Sequence, residues 1–126
     1  MTGDPAEDTG TTEPDVIIVG GGIGGLSAAL ALTRKGLLVR VLERSAEFAE
    51  VGAGLQLAPN CTRILHDYGL LDEARRLGVR PAGMVMRDAL DGTVLTSLDL
   101  NHLARRYGSP YLVMHRSDLH GLFLRA

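Results

Sequence analysis

Three glycines at Gly20, Gly22 and Gly25 and an acid at Glu43 carry the most chemistry per residue in this chain. The run Val16-Ile17-Ile18-Val19 ahead of them is strand-like, and the residues from Leu26 onward are helix-like. In that context G-x-G-x-x-G is a physical arrangement rather than a bare pattern. Gly20 takes the tight turn, Gly22 lets the backbone approach a pyrophosphate, and Gly25 lets the helix lie close on the strand. The helix N-terminus adds unpaired N–H groups and a positive dipole, so the chemistry is anion binding. A second strand, Leu38 to Leu42, ends at Glu43, close to the ~20-residue spacing expected of a carboxylate that accepts both hydrogen bonds of a ribose diol. Together these residues predict a dinucleotide site.

The elements that must position them form a β-α-β unit from about Asp15 to Glu43, with the two strands parallel and adjacent. The helix presents Leu26, Ala29, Leu30 and Thr33 on one face, with Arg34-Lys35 in its last turn and a left-handed cap at Gly36. Ser45 to Ala58 reads as an irregular loop too apolar for disorder, folded against a ligand or the body of the domain. Asn60 is expected to cap a helix over Cys61 to Tyr68, stopped by Gly69, with a second short helix over Leu70 to Leu77. Met84 to Ala89 and Thr93 to Leu98 form a hairpin around Asp91-Gly92. His102 to Tyr107 makes one or two helical turns and Tyr111 to His115 a strand. Ser117 then caps a helix still running at Ala126, whose stripe of Leu119, Leu122 and Phe123 has nothing after it to fold against. The expected fold is α/β: a Rossmann-like βαβ unit with an added hairpin, an incomplete open sheet, and the front portion of a longer protein.

Composition narrows the function further. A chain of 126 residues suits one domain, and its formal net charge is −2. Residues 1–14, with Asp4, Glu7, Asp8 and Glu13 unopposed by any Lys or Arg, read as a disordered acidic tail, leaving 15–126 as the domain portion. Basic residues are scattered or paired and aromatics are few, which argues against nucleic acid. The uncharged run from Val16 to Thr33 is not a membrane span, because five glycines interrupt it and its period changes from strand to helix. No secretory signal precedes it. Cys61 stands alone, so no intramolecular disulfide forms and a reducing, cytoplasmic setting fits. Its place in a first helical turn allows a lowered thiol pKa, but a small apolar filler is favoured. His66, His102, His115 and His120 match no metal-ligand spacing, and Ser27 opens no Gly-x-Ser-x-Gly elbow.

Asp15 to Leu26, with Val41-Leu42-Glu43-Arg44, resembles the FAD-binding start of the single-component flavoprotein aromatic hydroxylases. The segments Val51-Gly52-Ala53-Gly54-Leu55-Gln56-Leu57-Ala58-Pro59-Asn60 and Tyr111 to Leu119 are more specific. They resemble the branch containing salicylate, 3-hydroxybenzoate and 6-hydroxynicotinate hydroxylases. The resemblance implies that Gly20, Gly22, Ile23, Gly24 and Gly25 cradle the FAD diphosphate, that Glu43 holds the adenosine ribose and that Arg44 lies beside the adenosine. It also implies that Gln56 approaches the flavin and that Arg116 reaches the cofactor from the start of its helix. Arg116 has a plainer alternative, a surface pair with Asp118. The implied reaction is hydroxylation of a small phenolic or aromatic acid with NAD(P)H and O2. The family's downstream Asp-Gly and Gly-Asp segments have no counterpart by Ala126, so no catalytic residue is assigned and the chain alone is expected to be inactive.

Two other readings stay open on the residues alone. Glu43 suits the ribose of NAD as well as that of FAD, so an NAD-dependent dehydrogenase fragment is one. A non-catalytic nucleotide-binding fragment is the other.

Overall fold

The structure, a computed structural model, describes residues 13–45 and 53–126. Most of the acidic tail and the middle of the Ser45–Ala58 segment therefore lie outside the described residues. The chain divides into two compact units, Met1–Ala46 and Glu47–Ala126.

The first unit is the expected β-α-β. Strand β1 (Val16–Val19) pairs in parallel with β2 (Val39–Leu42), in the register Val16 to Val39 through Val19 to Leu42. Helix α1 (Ile23–Thr33) joins them. It starts earlier than the sequence predicts, so Gly24 and Gly25 lie inside its first turn, and Arg34 and Lys35 fall just past its end. Its C-terminus is closed by Gly36 N–H to Thr33 O (2.9 Å) and Leu37 N–H to Leu32 O (3.3 Å), the paired bonds of a Schellman cap.

The second unit opens with β3 (Gly54–Leu57), where an irregular loop was expected. Its partner is far along the chain: β6 (Leu112–His115), antiparallel, with Gly54 opposite His115 and Leu57 opposite Leu112. Helix α2 (Pro59–Asp67) begins at the proline, with Ala58 as N-cap. Proline suits the first helical position because its missing N–H would have no partner there, so Asn60 sits within the first turn and is not the cap. Helix α3 (Leu71–Leu77) follows as predicted. The hairpin is β4 (Gly83–Arg87) with β5 (Val94–Asp99), bulged between Met86 and Arg87. Asp99 caps α4 (Leu100–Tyr107) through the His102 N–H.

Helix α5 (Arg116–Leu124) corrects three further expectations. His115, not Ser117, is its N-cap, and the helix ends at Leu124. Its stripe is also covered: Leu119, Leu122 and Phe123 are 3%, 1% and 8% exposed, because α5 packs on α3 and β6, which precede it in the chain. With Leu57, Leu65, Leu71, Ala74, Leu112 and Met114 they form the core of this unit. The buried Thr62 hydroxyl donates to Pro110 O at 2.6 Å and ties α2 to the approach to β6. Among the described residues the strands make three separate two-stranded sheets, β1-β2, β3-β6 and β4-β5.

Candidate cofactor site

The glycine loop of the first unit is built as a cradle. Gly20 has φ +106°, a conformation that L side chains rarely adopt, and its N–H continues the sheet ladder to Leu42 O at 2.7 Å. A Cβ on Gly25 would stand 1.9 Å from Gly20 O, so the helix lies against the loop only because Gly25 has no side chain. Gly22 and Gly24 are the opposite case, with nothing within 4 Å of an added Cβ. Gly22 is the N-cap of α1, no side chain caps it, and the first turn holds no acid. The positive end of the helix is thus open to an external anion. Ile23, half-buried, begins the helix.

Glu43 lies at the end of β2, exposed, but its carboxylate already reaches the loop. Its Oε2 accepts from Gly21 N–H at 2.6 Å and its Oε1 from Ser45 N–H at 2.8 Å. The Ser45 N–H first, then the Gly21 N–H, hold its carboxyl below the usual glutamate range. Gly21 and Ser45 were missed in the sequence, because each contributes only a backbone N–H, which no residue type marks. Arg44 follows, exposed. The loop and the carboxylate fit a dinucleotide: open backbone for the diphosphate, and an acceptor with spare lone pairs for a diol.

The second unit holds the other two expected contact residues, Gln56 within β3 and Arg116 just past the end of β6. Gln56 projects from β3, and its Oε1 accepts the hydroxyl of the buried Tyr111 at 2.6 Å. Tyr111 is thus a positioning residue that the sequence reading placed only in a strand. Arg116 is the first residue of α5 and not the residue before it. Its N–H donates to Ala53 O at 3.0 Å, tying the helix start to the approach to β3, while its side chain is exposed. A cleft beside the start of α2 is lined by Ala58, Pro59, Asn60, Arg63 and Tyr107.

The remaining chemical side chains have local roles. His115 Nδ1 meets Ser117 Oγ, His66 meets Asp67, and His120 is buried. Among the described residues no three His, Cys, Asp or Glu side chains gather as a metal site, and no helix is long and apolar enough to cross a membrane. Burial raises the Cys61 thiol pKa, the direction opposite to activation, so the packing reading stands.

The family described as FAD binding domain matches residues 13–118. The chain belongs to the FAD-binding domain family. That membership separates the two dinucleotide readings in favour of FAD over an NAD-dependent dehydrogenase, which the glycine loop and Glu43 alone leave open. The chain is similar to 3-hydroxybenzoate 6-hydroxylase of Polaromonas naphthalenivorans, 46% identical over 106 residues that make up 83% of this chain and 26% of that protein. It is 36% identical to 6-hydroxynicotinate 3-monooxygenase of Bordetella bronchiseptica over 115 residues, 90% of this chain and 30% of that one. The solved structure of Klebsiella pneumoniae HpxO with FAD and uric acid matches with a TM-score of 0.76 and 32% identity, over 87% of this chain and 28% of that chain. The chain therefore spans less than a third of the length of each.

Proposed function

We propose that this chain is the FAD-binding portion of a flavoprotein monooxygenase that hydroxylates a small phenolic or aromatic acid with NAD(P)H and O2, and that residues 15–126 are the N-terminal part of its FAD-binding domain. The observation that carries the cofactor half is the FAD-binding domain match over residues 13–118, and the close contact of Gly25 with Gly20 beside the open backbone of Gly22 and Gly24 supplies the diphosphate cradle it requires. The names of the relatives support the substrate half, since they act on ring-hydroxylated acids.

In this reading Gly20, Gly22, Ile23, Gly24 and Gly25 hold the diphosphate at the helix N-terminus, and Glu43 accepts the adenosine ribose hydroxyls. Arg44 lies beside the adenosine. Gln56, oriented by Tyr111, lies toward the flavin, and Arg116 adds a charge-assisted contact to the cofactor. FAD, when bound, supplies the redox chemistry, taking reducing equivalents from NAD(P)H and activating O2 for insertion into the ring. The residues of this chain bind and orient it. Catalytic groups that touch the substrate are not assigned to them. A cytoplasmic setting accords with the single cysteine.

The test is spectroscopic. Protein purified with its flavin is expected to be yellow, to retain FAD on gel filtration and, as the complete enzyme, to oxidise NAD(P)H faster with a phenolic acid present. A colourless protein that binds NAD and not FAD overturns the proposal. Residues 1–126 alone are expected to show no phenol-stimulated oxidation, and robust turnover would refute the assignment of this chain as a binding portion.

A further inference from the structure

We infer that Glu43 has a second role besides the ribose contact: it is the positioning residue that anchors the glycine loop, so the diphosphate cradle and the ribose acceptor are one coupled device. The bond lies within the chain itself, and only its consequence for cofactor affinity rests on the FAD reading.

Beyond Gly20 the sheet runs out of acceptors. Gly20 N–H still reaches a strand carbonyl, Leu42 O. The next donor, Gly21 N–H, belongs to a buried residue at the point where the loop has turned away from β2. A buried N–H left without an acceptor is destabilising, so an acceptor is needed there. Glu43 is the next residue of β2's chain after Leu42, and its side chain extends the ladder by one bond, to Gly21 at 2.6 Å. The second oxygen is held by Ser45 N–H at 2.8 Å, which restrains the carboxylate from swinging away. An ionised carboxylate offers about four lone-pair sites, so these two bonds leave capacity for two ribose hydroxyls.

The groups that lower the Glu43 pKa are the backbone N–H groups of Ser45 and Gly21, then the Ser45 side chain and the Arg44 backbone. The decisive experiment therefore follows amide protons by NMR in the protein without flavin, as pH is lowered. The Gly21 and Ser45 amide protons are expected to shift in step with the Glu43 carboxyl carbon, with one midpoint below the ordinary glutamate value. A Gly21 amide that stays flat while Glu43 titrates overturns the inference, and this arm needs no variant to fold. In Glu43→Ala, Gly21 amide exchange is expected to quicken, and Glu43→Gln is expected to keep part of the protection but lose the titration.

A binding arm separates the two roles. FAD and an FAD analogue lacking the adenosine 2′ and 3′ hydroxyls are each titrated into wild type and Glu43→Ala. Loop anchoring predicts that the variant weakens both, each by roughly tenfold or more. Weakening of FAD with no effect on the analogue would mean that Glu43 serves the ribose only, and overturns the anchor. Failure of wild type to bind FAD at all would instead count against the proposed function, with the amide titration still deciding the anchor.

Discussion

Replacing Gly25 by alanine asks the structure for a single methyl group and gives it no room. The added Cβ would lie 1.9 Å from Gly20 O and 3.0 Å from Gly20 C, and both are backbone atoms that cannot rotate aside. Restoring an ordinary contact of 3.4 Å requires α1 to retreat from the loop by about 1.5 Å. Overpacking of this kind costs roughly 1–3 kcal/mol, and alanine returns at most about 1 kcal/mol of helix propensity. The clash wins, and the retreat also moves the N–H groups that would hold the diphosphate. The control is Gly24→Ala, one residue earlier in the same turn, where an added Cβ meets nothing within 4 Å. Its stability is expected to stay within about 1 kcal/mol of wild type, while any loss of FAD affinity would come from the methyl group facing the cofactor. Because the chain has two compact units, melting alone is a poor measure of one loop. Hydrogen exchange of the α1 amides reports the first unit directly, and flavin fluorescence gives the affinity. Gly25→Ala with wild-type protection in α1 and wild-type FAD affinity would refute the close approach.

Glu43 is bound to two backbone donors and its folded pKa is lowered, so its contribution to stability is present above the unfolded glutamate pKa and lost as pH falls through the folded one. Denaturation measured against pH is expected to show this loss in wild type and its absence in Glu43→Gln. Thr62→Val keeps the shape of a buried side chain but strips Pro110 O of its 2.6 Å donor, and is expected to destabilise the second unit by about 1–3 kcal/mol in urea titrations. Burial raises the Cys61 thiol pKa, so iodoacetamide is expected to modify it at pH 7 more slowly than a free cysteine. Labelling as fast as free cysteine would contradict that environment.

The β1-α1-β2 unit was legible because its signals are local: an apolar run, spaced glycines, and an acid at a strand end. Strand β3 was not, because Gly54 to Leu57 is a strand only by virtue of β6, more than fifty residues later, and four residues with two glycines nearby carry little period of their own. The two misplaced caps have separate causes. Asn60 and Ser117 are good capping side chains, yet Pro59 occupies the first helical position of α2, and the Arg116 N–H is taken by Ala53 O. Local preference was outweighed in one case by proline geometry and in the other by a bond across strands. The site residues were legible by type, but not their partners. Nothing in the spacing of Gln56 and Tyr111 shows that one orients the other.

The two units are stabilised differently, and the difference bears on the cradle. The second has a core of leucines from four helices and two strands, so its contact residues, Gln56 and Arg116, project from packed elements. In the first, Gly21 is the one buried residue among those described, and Ile17, Val19 and Leu42 are 55%, 85% and 49% exposed. Within these 126 residues, apolar burial thus contributes little to fixing the glycine loop. What holds it is directional: the parallel ladder from Val16 to Gly20, the van der Waals limit at Gly25, and the carboxylate of Glu43 on Gly21. A loop held by polar bonds responds to charge and to ligand more than one set in a core, since each bond is worth most where water is excluded. A dinucleotide lying over Gly22 and Gly24 would exclude that water and strengthen the bonds that shape its own site. Ligand and Glu43 would then stabilise each other, which is why removing the carboxylate should weaken even a ligand that never touches it.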